Sequence, residues 1–436
     1  MAQVLLSGGM VLYKNSFQPM DIFLSDGVIA SVAPSASGAT IGFSGHTIRC
    51  DRFFISPAFV DVHVHLREPG FSYKATIGSE TAAAAAGGYT TVCAMPNVLP
   101  PPDCLEHLLI QQKRIEETAK IQVFPYGCIT RGSHGNELSD MDLLAPLVCA
   151  FSDDGKGVQK EELMRQAMKK AAALGKPICA HCEVESLLSG GAIHQGRYAQ
   201  THHMAGISSE SEWRMIQRDL HLVEETGCRY HVCHISCLES VELIREAKRR
   251  GLPVTCETAP HYLCLCEDDL QAEGRFKMNP PLRSREDKQA LVGGFCDGTI
   301  DFLATDHAPH SSEEKGRGLE KSLFGVVGLE TAFSSVHTAL VSDGKMSLES
   351  LMQRISVGPR RFLGLPDEIR PGVPADLVIF DPEAEYMIDS QKFLSAGRAT
   401  PLDGMRCKGR VEYTIYHGQI VWKRNKEPMG FAADKQ

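Results

Sequence analysis

Eight apolar, β-branched runs recur through the middle of the chain: FISPAFVDVHVH, YTTVCAMPN, IQVFPYGCIT, LVCAFSDD, KPICAHCE, RYHVCHIS, LPVTCETAPHY and IDFLATDHAPH. Most are separated by stretches of helical composition, such as DCLEHLLIQQKRIEETAK, KEELMRQAMKKAAALG, SESEWRMIQRDLHLVEETG and CLESVELIREAKRRG. Eight strands alternating with helices predict an α/β fold, a (β/α)8 TIM barrel. A doubly wound open sheet is the alternative, but no GxGxxG or GxxxxGK[ST] follows a strand. Asp103 with Glu106 has capping-box spacing at the start of the first of those helices. The alanines of TAAAAAGG run into glycines suited to a helix C-terminus.

The two ends differ from this middle. Short β-like runs with turn signals fill the first 55 residues (QVLLS, GMVLY, DIFLSDGVIASV, HTIRCD), and the texture returns in ADLVIFD and EYTIYHGQIVW. Residues 1–55 and 365–425 are therefore expected to build one small, sandwich-like β domain, with the barrel at 56–364 and a tail at 426–436. The 436 residues suffice for both units. A net charge of −9 argues against a nucleic-acid or anionic-membrane binder, so an anionic substrate would need cations placed locally. The fifteen cysteines are odd in number and lack framework spacing, which fits a reduced, cytoplasmic compartment. His181 lies inside the Cys179–Cys182 pair on what reads as a buried strand, which disfavours a redox role. No segment reaches the roughly 18–20 apolar residues of a membrane span. The start, MAQVLLSGGMVLYKN, lacks a basic leader and reads as two strands and a turn.

Barrels of this type carry their chemistry at the C-terminal ends of the strands. In VDVHVHLREPG, His63, His65 and Arg67 sit at two-residue spacing, which on a strand puts all three on one face. Other strand ends carry Asp153-Asp154, His181, His234 and Asp306. All of these histidines and aspartates are metal-ligand types, and four histidines with two aspartates exceed the needs of one tetrahedral zinc. They suit two metals bridged by a carboxylate. Each alone could be a core histidine or a capping aspartate; their joint placement carries the inference.

The segments DVHVHLREPG, AMPN, FSDDG, AHCE, CHIS, MNPPLR and ATDHAPH with the following EEK resemble the dihydroorotases, class I bacterial type, of the amidohydrolase superfamily. The resemblance runs from about residue 1 to 425. It implies a zinc enzyme with two Zn²⁺ per chain that interconverts N-carbamoyl-L-aspartate and L-dihydroorotate plus water in pyrimidine biosynthesis. His63 and His65 with Asp306 would bind one metal, and His181 and His234 the other. The family spacing to AHCE selects Asp154, not Asp153, as the bridge, with no need of a carbamylated lysine. A metal-bound hydroxide would attack the ring amide, with Asp306 as general base and then acid. Arg67, Asn97 and His310 would clamp the substrate carboxylate beside His65, while Asn279, Phe324 and Gly325 would contact the ring. A guanidinium suits that clamp because it pairs with a carboxylate through two hydrogen bonds. A homodimer and an association with aspartate transcarbamoylase are family-based expectations.

Departures from the family wording fall at Val98, Cys237, Tyr262 and Leu323, none a ligand. GRGLEKSLFGVVG resembles a mobile active-site loop, and His202-His203 read as surface residues. The rivals are an allantoinase- or dihydropyrimidinase-like amidohydrolase and a non-catalytic transcarbamoylase partner. A neutral dihydropyrimidine ring gives Arg67 no partner, and non-catalytic homologues commonly lack several ligands.

Overall fold

The computed structural model describes residues 3–35 and 45–424; the expected tail at 426–436 lies outside them. Each of the eight runs contains a strand, and all eight pair in parallel. In chain order they are Phe59–Val64, Tyr89–Ala94, Gln122–Pro125 continued by Gly127–Cys128, Phe151–Ser152, Ile178–Ala180, Tyr230–Val232, Val254–Thr258 and Phe302–Leu303. Tyr126 is where the third strand changes partner. Its N–H donates to Ala94 O, whereas that of Gly127 donates to Ala150 O. A parallel bridge between Val64 and His307, with His65 N–H donating to His307 O at 2.9 Å, joins the eighth strand's end to the first and closes the barrel.

The barrel interior is filled below its mouth. Val60, Val62, Cys93, Met95, Tyr126, Cys179 and Cys233 form one buried cluster, and the Tyr126 hydroxyl donates to Val62 O. Cys179 is part of this floor, and Cys182 packs against the Tyr230 hydroxyl at 3.3 Å. All fifteen cysteines are free thiols.

Both chain ends contribute to a single eight-stranded sheet with its own apolar cluster, including Leu6, Val11, Ile22, Ile55, Leu377 and Ile415. Strand Phe54–Pro57 lies in the middle of that sheet, and one residue later the chain enters the first barrel strand. The junction is aromatic: the Phe59 ring lies 5.7 Å from Tyr89, 5.3 Å from Phe333 and 6.4 Å from Phe380 of the terminal sheet. Gly88, at φ +96°, comes so close that a Cβ would sit 2.8 Å from the Phe59 ring and 2.9 Å from Val378.

Two local expectations resolve differently. Helix Ile77–Ala86 ends at Gly87 and Gly88, as TAAAAAGG implies. Helix Leu105–Thr118 instead starts from Cys104 without a side-chain cap. Asp103 accepts from Gly132 N–H and pairs with the His107 ring of the helix's first turn at 2.7 Å, so its carboxylate is taken up by a neighbouring loop and a side chain, not by a backbone N–H of the helix. Phe59→Ala, which empties the junction, is expected to cost about 3–5 kcal/mol. Urea unfolding of the variant should show a lower midpoint by that measure.

Candidate metal centre and substrate pocket

His63 ends the first strand with its side chain fully buried. Its Nδ1 pairs with Glu257 Oε1 at 2.7 Å, and Glu257 Oε2 pairs with His231 Nε2 at 3.0 Å. This outer contact turns His63 Nε2 toward the barrel axis. There Asp154 Oδ1 is met by His63 Nε2 at 3.4 Å, His234 Nε2 at 3.6 Å and His181 Nδ1 at 3.8 Å. His65 Nε2 stands 3.6 Å from Asp154 Oδ2 and 2.8 Å from Asp306 Oδ1. Two compact donor sets result, His63–His65–Asp154 and Asp154–His181–His234, and they share Asp154.

Asp154 Oδ1 and His63 Nε2 are buried without a hydrogen-bond partner. Orphaned buried polar atoms are costly, and a cation between them would satisfy both. The electrostatics agree. Burial opposes charge on Asp154, yet the His63 charge and the close His234 and His65 rings hold its pKa well below the usual carboxylate range. Burial likewise opposes charge on His63, but Asp154 and Glu257 raise its pKa well above the ordinary value. A field that stabilises an imidazolium so deep in the protein also favours a bound cation. The residues present thus fit a divalent metal site.

Asp153 has a different task. It accepts from the backbone N–H groups of Ile129 and Thr130, at 2.9 and 3.1 Å, and from the Thr130 hydroxyl. Lys156 and Lys160 are exposed and donate to Ser133 O and Asn136, away from the centre.

Arg67 reaches the site by a route the strand spacing does not describe. The strand stops at Val64, and Arg67 adopts a left-handed backbone at φ +66°. Its buried guanidinium donates through Nε to Pro309 O at 2.9 Å and touches His310 Nε2 at 3.2 Å. Burial pulls its pKa down to about 10, which leaves it a cation at neutral pH. His234 and Asp306 also hold positive φ, +31° and +48°. Strained backbone of this kind gathers at functional sites, where the surroundings over-determine it.

His310 is kept neutral: burial and the Arg67 charge pull its pKa down to about 3. Lys74 Nζ lies 3.2 Å from its Nδ1, so Nε2 carries the proton and donates to Phe324 O at 2.8 Å. Arg67 and His310 are therefore brought together, with Phe324 and Gly325 beside them. Asn97 bonds to the ligand candidates. Its Oδ1 meets His65 Nδ1 at 2.8 Å and its Nδ2 reaches Asp154 Oδ2 at 3.4 Å, so it braces ligand candidates. Asn279 donates to Glu183 Oε1 at 2.9 Å, Glu183 Oε2 lies 3.5 Å from His181 Nε2, and the Asn279 Oδ1 is unpartnered. His202 and His203 are exposed.

Sequence reasoning missed Glu257, His231, Glu183 and Lys74, which act by holding other residues. Glu257 lies in the quoted CETAPHY run, and Glu183 follows His181 by two residues, so the only available signal was an acidic residue at a strand end.

Comparison with known proteins gives concordant results. The Dihydro-orotase-like family model matches residues 52–240. The dihydroorotase of Bacillus cereus (strain B4264) is 47% identical over 407 residues, 93% of this chain and 94% of that protein. The chain belongs to the dihydroorotase family. The dihydroorotase of Bacillus cytotoxicus matches at the same identity and coverage. Among solved structures, L-hydantoinase (dihydropyrimidinase) from Arthrobacter aurescens superposes with TM-score 0.87 at 26% identity, covering 98% of this chain and 97% of that one. Dihydropyrimidinase from Brevibacillus agri NCHU1002 gives TM-score 0.84 at 20% identity, over 97% and 95% of the two chains, which bears on the fold alone.

Within this dihydroorotase-family site the adjacent aspartates should separate by variant. Asp154→Ala is expected to abolish retention of divalent metal through dialysis, whereas Asp153→Ala keeps the metal and lowers thermal stability. Glu257→Gln should weaken metal affinity about 10–100-fold, read by competition with a chromophoric chelator.

Proposed function

We propose that the protein is a dihydroorotase, interconverting N-carbamoyl-L-aspartate and L-dihydroorotate plus water. The observation that carries this reading is the buried Arg67 guanidinium in contact with neutral His310 at the same barrel mouth as the ligand cluster. A dihydropyrimidine or hydantoin ring without a carboxylate would offer that guanidinium no anion to pair with. Dihydroorotate supplies the anion, and the fork geometry of arginine fixes its orientation. The 47% identity to dihydroorotases supports the same choice.

Two Zn²⁺ ions would be held, one by His63, His65 and Asp306 and the other by His181 and His234, with Asp154 common to both. Bound there, they would supply Lewis acidity toward an amide carbonyl and lower the pKa of a water toward ~7. Asp306 takes a proton from the attacking water as the C–O bond forms and delivers it to the ring nitrogen as the C–N bond breaks. His65 engages Asp306 Oδ1 at 2.8 Å, leaving Oδ2 for this transfer. Burial opposes charge on Asp306, but the His65 hydrogen bond and the His63 charge lower its pKa, so it begins as the base. In the reverse direction Asp306 takes the proton from the ureido nitrogen as the C–N bond forms and delivers it to the carboxyl hydroxyl that leaves as water. Asn279 Oδ1, buried and unpartnered, accepts from a ring N–H. A cytoplasmic location, a homodimer and a complex with aspartate transcarbamoylase rest on family resemblance.

Zinc-loaded protein should consume dihydroorotate, followed by ultraviolet absorbance, and leave dihydrouracil and allantoin unchanged. Preference for a neutral ring would overturn the carboxylate assignment. Arg67→Lys should raise KM about 10-fold or more, since an ammonium loses the charge-assisted fork. Asp306→Asn should lower kcat by about 10²–10⁴.

A further inference from the structure

Lys315 lies outside the ligand cluster, yet it is buried at 8% exposure and bound on three sides. Its Nζ donates to Lys277 O at 3.0 Å, Leu323 O at 2.8 Å and Gly325 O at 2.7 Å. Two of these carbonyls flank Phe324, whose own carbonyl accepts from His310. Gly325 N–H closes the arrangement onto Lys277 O at 3.1 Å, and Leu323 N–H donates to Glu314 O. Lys277 reinforces it: its Nζ donates to Glu320 O at 2.7 Å and lies 4.4 Å from the Phe324 ring. The segment 323–325 thus has successive carbonyls fixed alternately by Lys315 and His310, and Gly325 holds φ +123°, a conformation unfavourable to other residues. Burial and the neighbouring Lys277 charge pull the Lys315 pKa down to about 7. A lysine buried this far is costly to keep charged, and three carbonyl acceptors offset that cost.

We propose that Lys315 is a positioning residue whose ammonium sets the backbone of the Phe324–Gly325 segment and thereby the affinity for the substrate ring. This deepens the dihydroorotase reading and rests on it for the identity of the ring. The lysine itself does not touch the reacting atoms. Its influence passes through the Leu323–Gly325 backbone, whose Phe324 carbonyl holds His310 beside Arg67, so its removal should act on KM in preference to kcat.

In zinc-loaded full-length protein, Lys315→Met is expected to raise KM for dihydroorotate about 10-fold or more while kcat changes less than about 3-fold. Amide hydrogen exchange in 322–326 should be faster than in wild type. Gly274→Ala provides a second approach, because a Cβ there would collide with Lys315 O and Ser322 Oγ. It should reproduce the KM effect if Lys315→Met fails to fold. An active Lys315→Met with wild-type KM, or one in which kcat falls and KM does not rise, overturns the proposal. If wild-type protein itself leaves dihydroorotate untouched, the dihydroorotase reading fails. Exchange in 322–326 then decides on Lys315 alone, and equal rates in variant and wild type reject it.

Discussion

Asp154 stands between two pairs of histidines, and the arrangement of the barrel mouth follows from that sharing. His63 and His65 come from the first strand, His181 from the end of the fifth and His234 from the end of the sixth. Their ring nitrogens meet one carboxylate, and Asp154 Oδ1, His63 Nε2, His181 Nε2 and His234 Nδ1 are buried without a hydrogen-bond partner. Such a constellation is expensive without a cation and well matched to a divalent one. Around it runs a tier of restraints: Glu257 and His231 behind His63, Asn97 behind His65, Glu183 and Asn279 behind His181. Those contacts orient the rings of His63, His65 and His181, so preorganisation of these three comes from the protein itself.

A second cation system adjoins the first. The chain is net acidic, so an anionic substrate is drawn by local charge. Arg67 is buried within the field of Asp306, and neutral His310 relays between it and the Lys74–Glu314 pair at 3.1 Å. Holding His310 neutral matters, since a second full cation beside Arg67 would be unfavourable in so buried a place. Instead its Nε2 proton is committed to the Phe324 carbonyl, which ties His310 to the 323–325 segment.

Much of this was legible in the sequence because it obeys local periodicity. Each of the eight apolar runs holds a barrel strand, and every proposed ligand lies at or just past a strand's C-terminal end. The choice between Asp153 and Asp154 came from family spacing; geometry supplies the physical reason, since Asp153 is used up by the Thr130 loop. Arg67 reaches the barrel mouth by a route that its two-residue spacing does not describe. Strand alternation does not extend to it, and a left-handed turn after Val64 does the work. Asp103 misled because its carboxylate bonds Gly132, twenty-nine residues away, which no local pattern announces. Glu257 pairs with His63, 194 residues away, and His231 with Glu257, 26 residues away, separations that no local pattern announces.

The sharing of Asp154 is tested most directly by anomalous diffraction at the zinc edge from crystals of zinc-loaded protein. Two peaks flanking the Asp154 carboxylate, one toward His63 and His65 and the other toward His181 and His234, is the result expected. A single peak, or a pair bridged by a modified lysine with Asp154 outside the coordination sphere, would contradict it.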